Sequence, residues 1–200
     1  MHRLAYRVNR PSLFERVMGE PFAALHPALR RFHRLSDRHL LHGEVTTHAP
    51  TSPLAALLSR ALGSPRVATS GPIRFELDVD AAVETWTRHF PGRTMSSRLR
   101  EVDGELVEQL GAARLVFALE EDAGRLRMRL RAMRFLGVPC PAFLRPRIVA
   151  EETGELHANG RERLHFRVEA TVLLIGQVVG YRGHLWLPDD PADEAAWARG

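Results

Sequence analysis

The sequence predicts an α+β fold: short N-terminal helices packed on a large, strongly curved antiparallel β-sheet, either open or closed wholly or in part as a barrel. Three observations predict it. Helix start and stop signals gather in residues 1–70. From residue 72 the spacing of apolar residues falls from near 3.6 to about 2. Turn signals then recur at short intervals, as sequential antiparallel strands require. The chain reads as a single domain over 1–200, mainly helical over 1–70 and sheet over 72–188, with a peripheral or frayed tail over 189–200. It holds no internal repeat, no low-complexity tract and no linker that would split the sheet.

The helical signals come in order. Ser12 followed by Glu15 has the form of a capping box, Leu13, Phe14, Val17 and Met18 make a short apolar face, and Gly19 offers a stop. Pro27 suits a first helical turn, with Leu29 and Phe32 spaced to face inward. Ser52-Pro53 precedes Leu54, Leu57, Leu58, Ala61 and Leu62, and Gly63 comes next as a C-cap.

The strand signals begin with Ile73, Phe75, Leu77 and Val79, which alternate with Arg74, Glu76 and Asp78. Asp103-Gly104, Asp122-Ala123-Gly124 and Asn159-Gly160 punctuate the rest of the chain, and about seven to nine strands are expected. In "GRLRMRLRAMRFLGVPCP" (124–141) a four-residue loop over 121–124 pairs Leu119 with Leu126, Phe117 with Met128 and Leu115 with Leu130, an all-apolar inner face. Arg125, Arg127, Arg129 and Arg131 then share the other face. A two-residue loop at Asp103-Gly104 sets Leu99 opposite Glu108, which predicts a bulge or a polar interior there.

Composition narrows the functional classes. The chain is 44% hydrophobic and 26% charged, an ordinary globular balance. All 28 basic residues are arginine, so the pI of about 10.4 reflects a missing lysine titration more than an excess of charge, which is only +4. Cys140 is alone and cannot form an internal disulfide; it reads as structural, and a reducing cytoplasm is the expected location. The charged N-terminus lacks the apolar core of a secretion signal and is expected to be retained. The longest apolar run, "ATVLLIGQVVGY", is too short and interrupted to span a bilayer.

No nucleotide-binding glycine loop, nucleophile elbow or metal-ligand spacing occurs, so neither cofactor nor metal is expected. His26, His33, His39, His42 and His48 match no metal template and read as surface histidines. Adjacent pairs such as Glu151/Glu152 point to opposite faces of a strand and make poor acid-base dyads. The arginine row at strand spacing has the reach to follow phosphates, but acidic neighbours and the lack of interleaved aromatics favour a solvated sheet face, so nucleic-acid binding is the weaker reading. Trp86, Arg88, Phe90 and Tyr181 offer an indole, a guanidinium and a phenol to orient an amphipathic ligand; core aromatics with a structural arginine are the plainer alternative. With Phe117 and Met128 on the inner face, the first functional reading is non-catalytic binding of a hydrophobic or lipid-like small molecule inside the curved sheet. An enzyme stays open, since catalytic residues on separate strands leave no linear motif.

Four stretches carry a family resemblance: "LHPALRRFH" (25–33), "WTRHFPGRTMSS" (86–97), "FLGVPCPAFLRP" (135–146) and "GQVVGYRGHL" (176–185). Together they resemble a bacterial family of uncharacterised domains found alone or C-terminal to saccharopine-dehydrogenase-like NAD(P)-binding domains. The resemblance brings no activity with it. It implies an accessory domain, with a dinucleotide-dependent oxidoreductase of the saccharopine-dehydrogenase type as a partner.

Overall fold

The computed structural model describes residues 11–80 and 82–188. The expectations for the first ten residues and for the 189–200 tail lie outside the described residues.

The helices form where the sequence places their caps. Glu15 N donates to Ser12 Oγ and Ser12 N donates to the Glu15 carboxylate, so α1 (Leu13–Met18) starts on a capping box and stops at Gly19, φ 64°. A 3₁₀ turn (Glu20–Ala24) leads into α2 (Pro27–Phe32), where His26 Nδ1 accepts from Ala28 N. Helix α3 (Pro53–Leu62) runs from the Ser52 N-cap to a left-handed Gly63. Between α2 and α3, inside the segment expected to be mainly helical, Asp37–Thr47 forms strand β1.

The remaining strands are β2 (Thr69–Asp80), β3 (Val83–Phe90), β4 (Arg93–Val102), β5 (Glu105–Leu110), β6 (Ala113–Asp122), β7 (Arg125–Phe135), the short β8 (Val138–Pro139), β9 (Arg147–Leu156), β10 (Glu162–Val172) and β11 (Gly176–Trp186). Each pairs antiparallel with its sequence neighbour, except that β8 pairs with β7 alone and β9 takes its place beside β7. Strand β11 returns to β1, so ten strands close a barrel, more than the sequence suggested. At that seam a Cβ on Gly43 would collide with the His184 carbonyl, and one on Gly183 with the Glu44 carbonyl. Glycine at both positions lets β1 and β11 approach closely enough to close the ring.

The β6–β7 hairpin corrects the expected register. Ala123 and Gly124 both take positive φ (51° and 82°) and form a two-residue turn, so Asp122 faces Arg125 and Leu119 faces Met128. The shift from the four-residue loop is even, so the apolar side chains stay inside. A bulge between Val116 and Phe117 then moves the pairing again, and Leu115 faces Met133 rather than Leu130. At Asp103-Gly104 the tight turn forms without a bulge and Leu99 does face Glu108.

The strands alternate in burial, with one face of each filling the interior. Because the barrel runs up and down, connections fall alternately at two ends. One end is plugged by α1, the 3₁₀ turn and α2, whose Phe14, Leu29 and Phe32 are fully buried, each stabilising by about 1.5–3 kcal/mol. Helix α3 lies across the other end. Ser52 Oγ donates to Ile175 O (2.6 Å), Ala112 N donates to Ala61 O (3.2 Å) and Arg93 Nε donates to Gly63 O (3.0 Å), so the helix is tied to three separate turns.

Candidate functional site

Inward-facing side chains and α3 enclose a cavity of about 310 Å³, within the range of small-molecule sites. Its wall is mainly apolar, with Phe75, Leu99, Phe117, Met128 and Phe166 among its members, and Leu58, Leu62, Cys140 and Leu144 closing the α3 end. The polar groups among these include Arg88, Glu108, Glu152 and Tyr181.

Strand β3 sets their depth. Its inward residues are Glu84, Trp86, Arg88 and Phe90, steps of roughly 6.7 Å from the plugged end toward α3. Arg88 is only 8% exposed. Its Nη1 donates to Ser97 Oγ (3.1 Å) across the β3–β4 ladder, and its Cζ stands 5.2 Å from the Trp86 ring centroid and 5.7 Å from that of Phe75. No carboxylate lies within ion-pair distance of it among the described residues. Tyr181, on β11, is 5% exposed, packs against Phe90 (5.1 Å) and Phe166 (6.0 Å), and makes no side-chain hydrogen bond among the described residues. Burial pushes its phenol up, against the pull of the nearby Arg88 charge. A guanidinium and a phenol, both short of partners, therefore share an apolar interior.

Nearer the plug lies a second polar group of residues. Glu152 on β9 meets His33 at 2.8 Å, with the His33 ring stacked on Phe14 at 3.7 Å. Beside them Trp86 Nε1 donates to Glu84 (3.0 Å), and burial raises the Glu84 carboxyl while the His33 charge opposes the rise. His33 is thus a buried anchor of α2 rather than a surface histidine. Its ring is flanked by Phe14 and Phe32, which the sequence places on the inward helix faces.

Of the candidate ligand residues, Trp86, Arg88, Phe117, Met128 and Tyr181 all line the cavity. Phe90 is buried but stands behind the Tyr181 ring, outside the wall. Sequence reading missed Glu152 in the wall, whereas the mismatch of Leu99 with Glu108 did signal a polar interior. The arginine row lies on the outer face: Arg127 pairs with Asp122 (2.8 Å) and Glu151 (3.0 Å), and Arg129 pairs with Glu120. Among the described residues no three His, Cys, Asp or Glu side chains gather as a metal site.

The model of a family described as "Domain of unknown function (DUF4166)" matches residues 25–185. The chain belongs to this family. The match runs from the plug to β11 and so takes in the whole wall of the DUF4166 cavity. No curated protein matches the chain. Among solved structures it is similar to Rv2717c from M. tuberculosis, at 12% identity over 82% of this chain and 99% of that one, TM-score 0.41. It is also similar to a "putative thioesterase II" from Thermobifida fusca YX, at 12% identity over 75% of this chain and 79% of that one, TM-score 0.22. At this distance neither neighbour bears on what the DUF4166 domain binds or does.

Proposed function

We propose that this domain is a container for an apolar small molecule with an acidic head group, the tail in the barrel interior and the head on Arg88 and Tyr181. The observation that carries it is the Arg88 guanidinium, buried in a mainly apolar cavity with one hydroxyl acceptor and, among the described residues, no carboxylate within ion-pair distance, the wall carboxylates Glu108 and Glu152 included. A buried charge left without a partner is costly, and a carboxylate or phosphate on the ligand supplies that partner with charge-assisted hydrogen bonds. Tyr181, the second donor on the wall without an acceptor, extends the same site. Trp86 and Phe75 hold the guanidinium from the side, which leaves its remaining N–H groups for a ligand.

Fluorescence titration with cis-parinaric acid and with its methyl ester tests this. The acid should bind about tenfold or more tightly than the ester, the scale of a hydrogen bond to a charged group. Arg88→Met should erase that preference. The variant should fold at least as well as the native chain, because an uncompensated buried charge has been removed. Equal affinity for acid and ester, or no binding of either, would sink the reading.

A further inference from the structure

We propose that the α3 end of the barrel docks on an anionic lipid bilayer. The up-and-down topology brings residues 48–68, 91–92, 111–112, 136–146 and 173–175 together at this end. Of the exposed large apolar residues among the described residues, all but Leu40 and Leu156 fall on these segments. They come from separate connections: Leu57 on α3, Leu136 and Phe143 on the β7–β9 connection, Leu173 and Leu174 on the β10–β11 turn. Phe143 is 72% exposed and Leu174 is 99% exposed. A chain that seals its other end with buried Phe14 and Phe32 leaves these side chains in water.

Charge selects the occupant. The five segments contain no Asp or Glu at all. Arg60, Arg66, Arg134 and Arg147, on or beside them, are exposed and make no ion pair among the described residues. At the opposite end every described strand connection is flanked by carboxylates, as at Asp80, Asp103, Asp122 and Glu162. A second copy presenting the same face would meet it with like charge. An anionic lipid surface meets it with opposite charge, and accepts separate apolar tips without needing a matching groove. Leu58, Leu62, Cys140 and Leu144 of the same segments also line the interior cavity, so docking would set this end of the cavity toward the bilayer. The inference stands apart from the cavity reading, since the empty barrel should dock as well.

Among the described residues no helix is long and apolar enough to cross a membrane, so the contact is interfacial. Co-sedimentation of the full chain with vesicles tests it. Vesicles of equal parts phosphatidylcholine and phosphatidylglycerol should carry the protein down, pure phosphatidylcholine should do so far less, and added salt should release it. Each of Arg60→Gln, Arg66→Gln, Arg134→Gln and Arg147→Gln should weaken binding by about fivefold at most. Phe143→Asp with Leu174→Asp should abolish it, and Leu156→Asp at the far end should change nothing. A Leu174→Trp reporter should shift its emission to the blue on mixed vesicles, while Leu156→Trp should not. Absence of binding to the mixed vesicles, or binding indifferent to both the arginine and the apolar substitutions, overturns the proposal. So does a dimer that Leu174→Asp dissolves, which would assign the face to a second copy.

Discussion

The two ends of this barrel obey the same strand alternation and finish it in opposite ways. At the plugged end, apolar helix residues turn inward and their polar neighbours are paired: Phe14 and Phe32 are sealed in, His33 holds Glu152, and Arg31 reaches Glu162 at 2.9 Å. At the α3 end the covering helix buries only Ala55 and Ser59 fully, and its larger leucines are split between the cavity and solvent. The comparison teaches that closing a barrel does not require closing both ends equally. One end buries the large apolar residues of its covering helices, and the other presents several of its own to solvent.

The largest effect expected from breaking this contrast comes from truncating an aromatic side chain at each end. Phe14→Ala should cost about 4 kcal/mol, since it removes a fully buried ring that stacks on His33 (3.7 Å) and Trp86 (5.8 Å). Phe143→Ala should change stability by no more than about 0.5 kcal/mol. Urea denaturation of the two variants measures both, and comparable losses would show that the ends are equally structural.

A smaller loss should follow from His33→Ala. The imidazole is nearly inaccessible, and its removal leaves the Glu152 carboxylate buried without the partner that stood at 2.8 Å. Breaking one side of such a pair costs about 3 kcal/mol, and replacing both partners by apolar residues restores much of it. The double variant His33→Leu with Glu152→Leu should therefore melt above His33→Ala. A double variant that melts below it would mean that the pair holds α2 on β9 by more than mutual neutralisation.

How much of this was legible in the sequence depends on what a local pattern can encode. The caps at Ser12, Ser52 and Gly63 were readable because each is a contact within four residues. The apolar inner face of β6 and β7 survived a wrong loop length, because a two-residue slip preserves the faces; the bulge at Val116/Phe117 left no such trace. Strand β1 escaped notice because its inward positions, His39, Leu41, Gly43, Val45 and Thr47, hold only two large apolar residues. Gly43 is needed there for the seam and weakens the very alternation that would reveal the strand. At the site, Trp86, Arg88 and Tyr181 could be picked out as residue types. That Arg88 lacks a counter-ion depends on which strands face it across the interior, a relation no single stretch contains. The burial of His33 likewise depends on β9 supplying Glu152 from more than a hundred residues away.

The smallest expected effect sharpens the contrast through pH. Glu84 is buried near the plug, and burial holds its carboxyl above the ordinary value of 4.5, with the His33 charge and the Trp86 hydrogen bond pulling it back. A carboxyl raised in the folded chain binds its proton more tightly there than in the unfolded chain. Its contribution to stability is therefore complete below the ordinary carboxylate value and is lost as pH rises through the raised folded value. Glu84→Gln keeps an acceptor for Trp86 Nε1 and cannot ionise. Denaturation over a pH series should give curves for the native chain and the variant that meet at the acid end and separate as pH rises, with the variant the more stable. The turns at the α3 end carry no carboxylate, so amide exchange in α3 should not follow that pH dependence. Parallel curves for the two proteins would remove Glu84 as its source, and a matching pH dependence in α3 would show that the two ends open together.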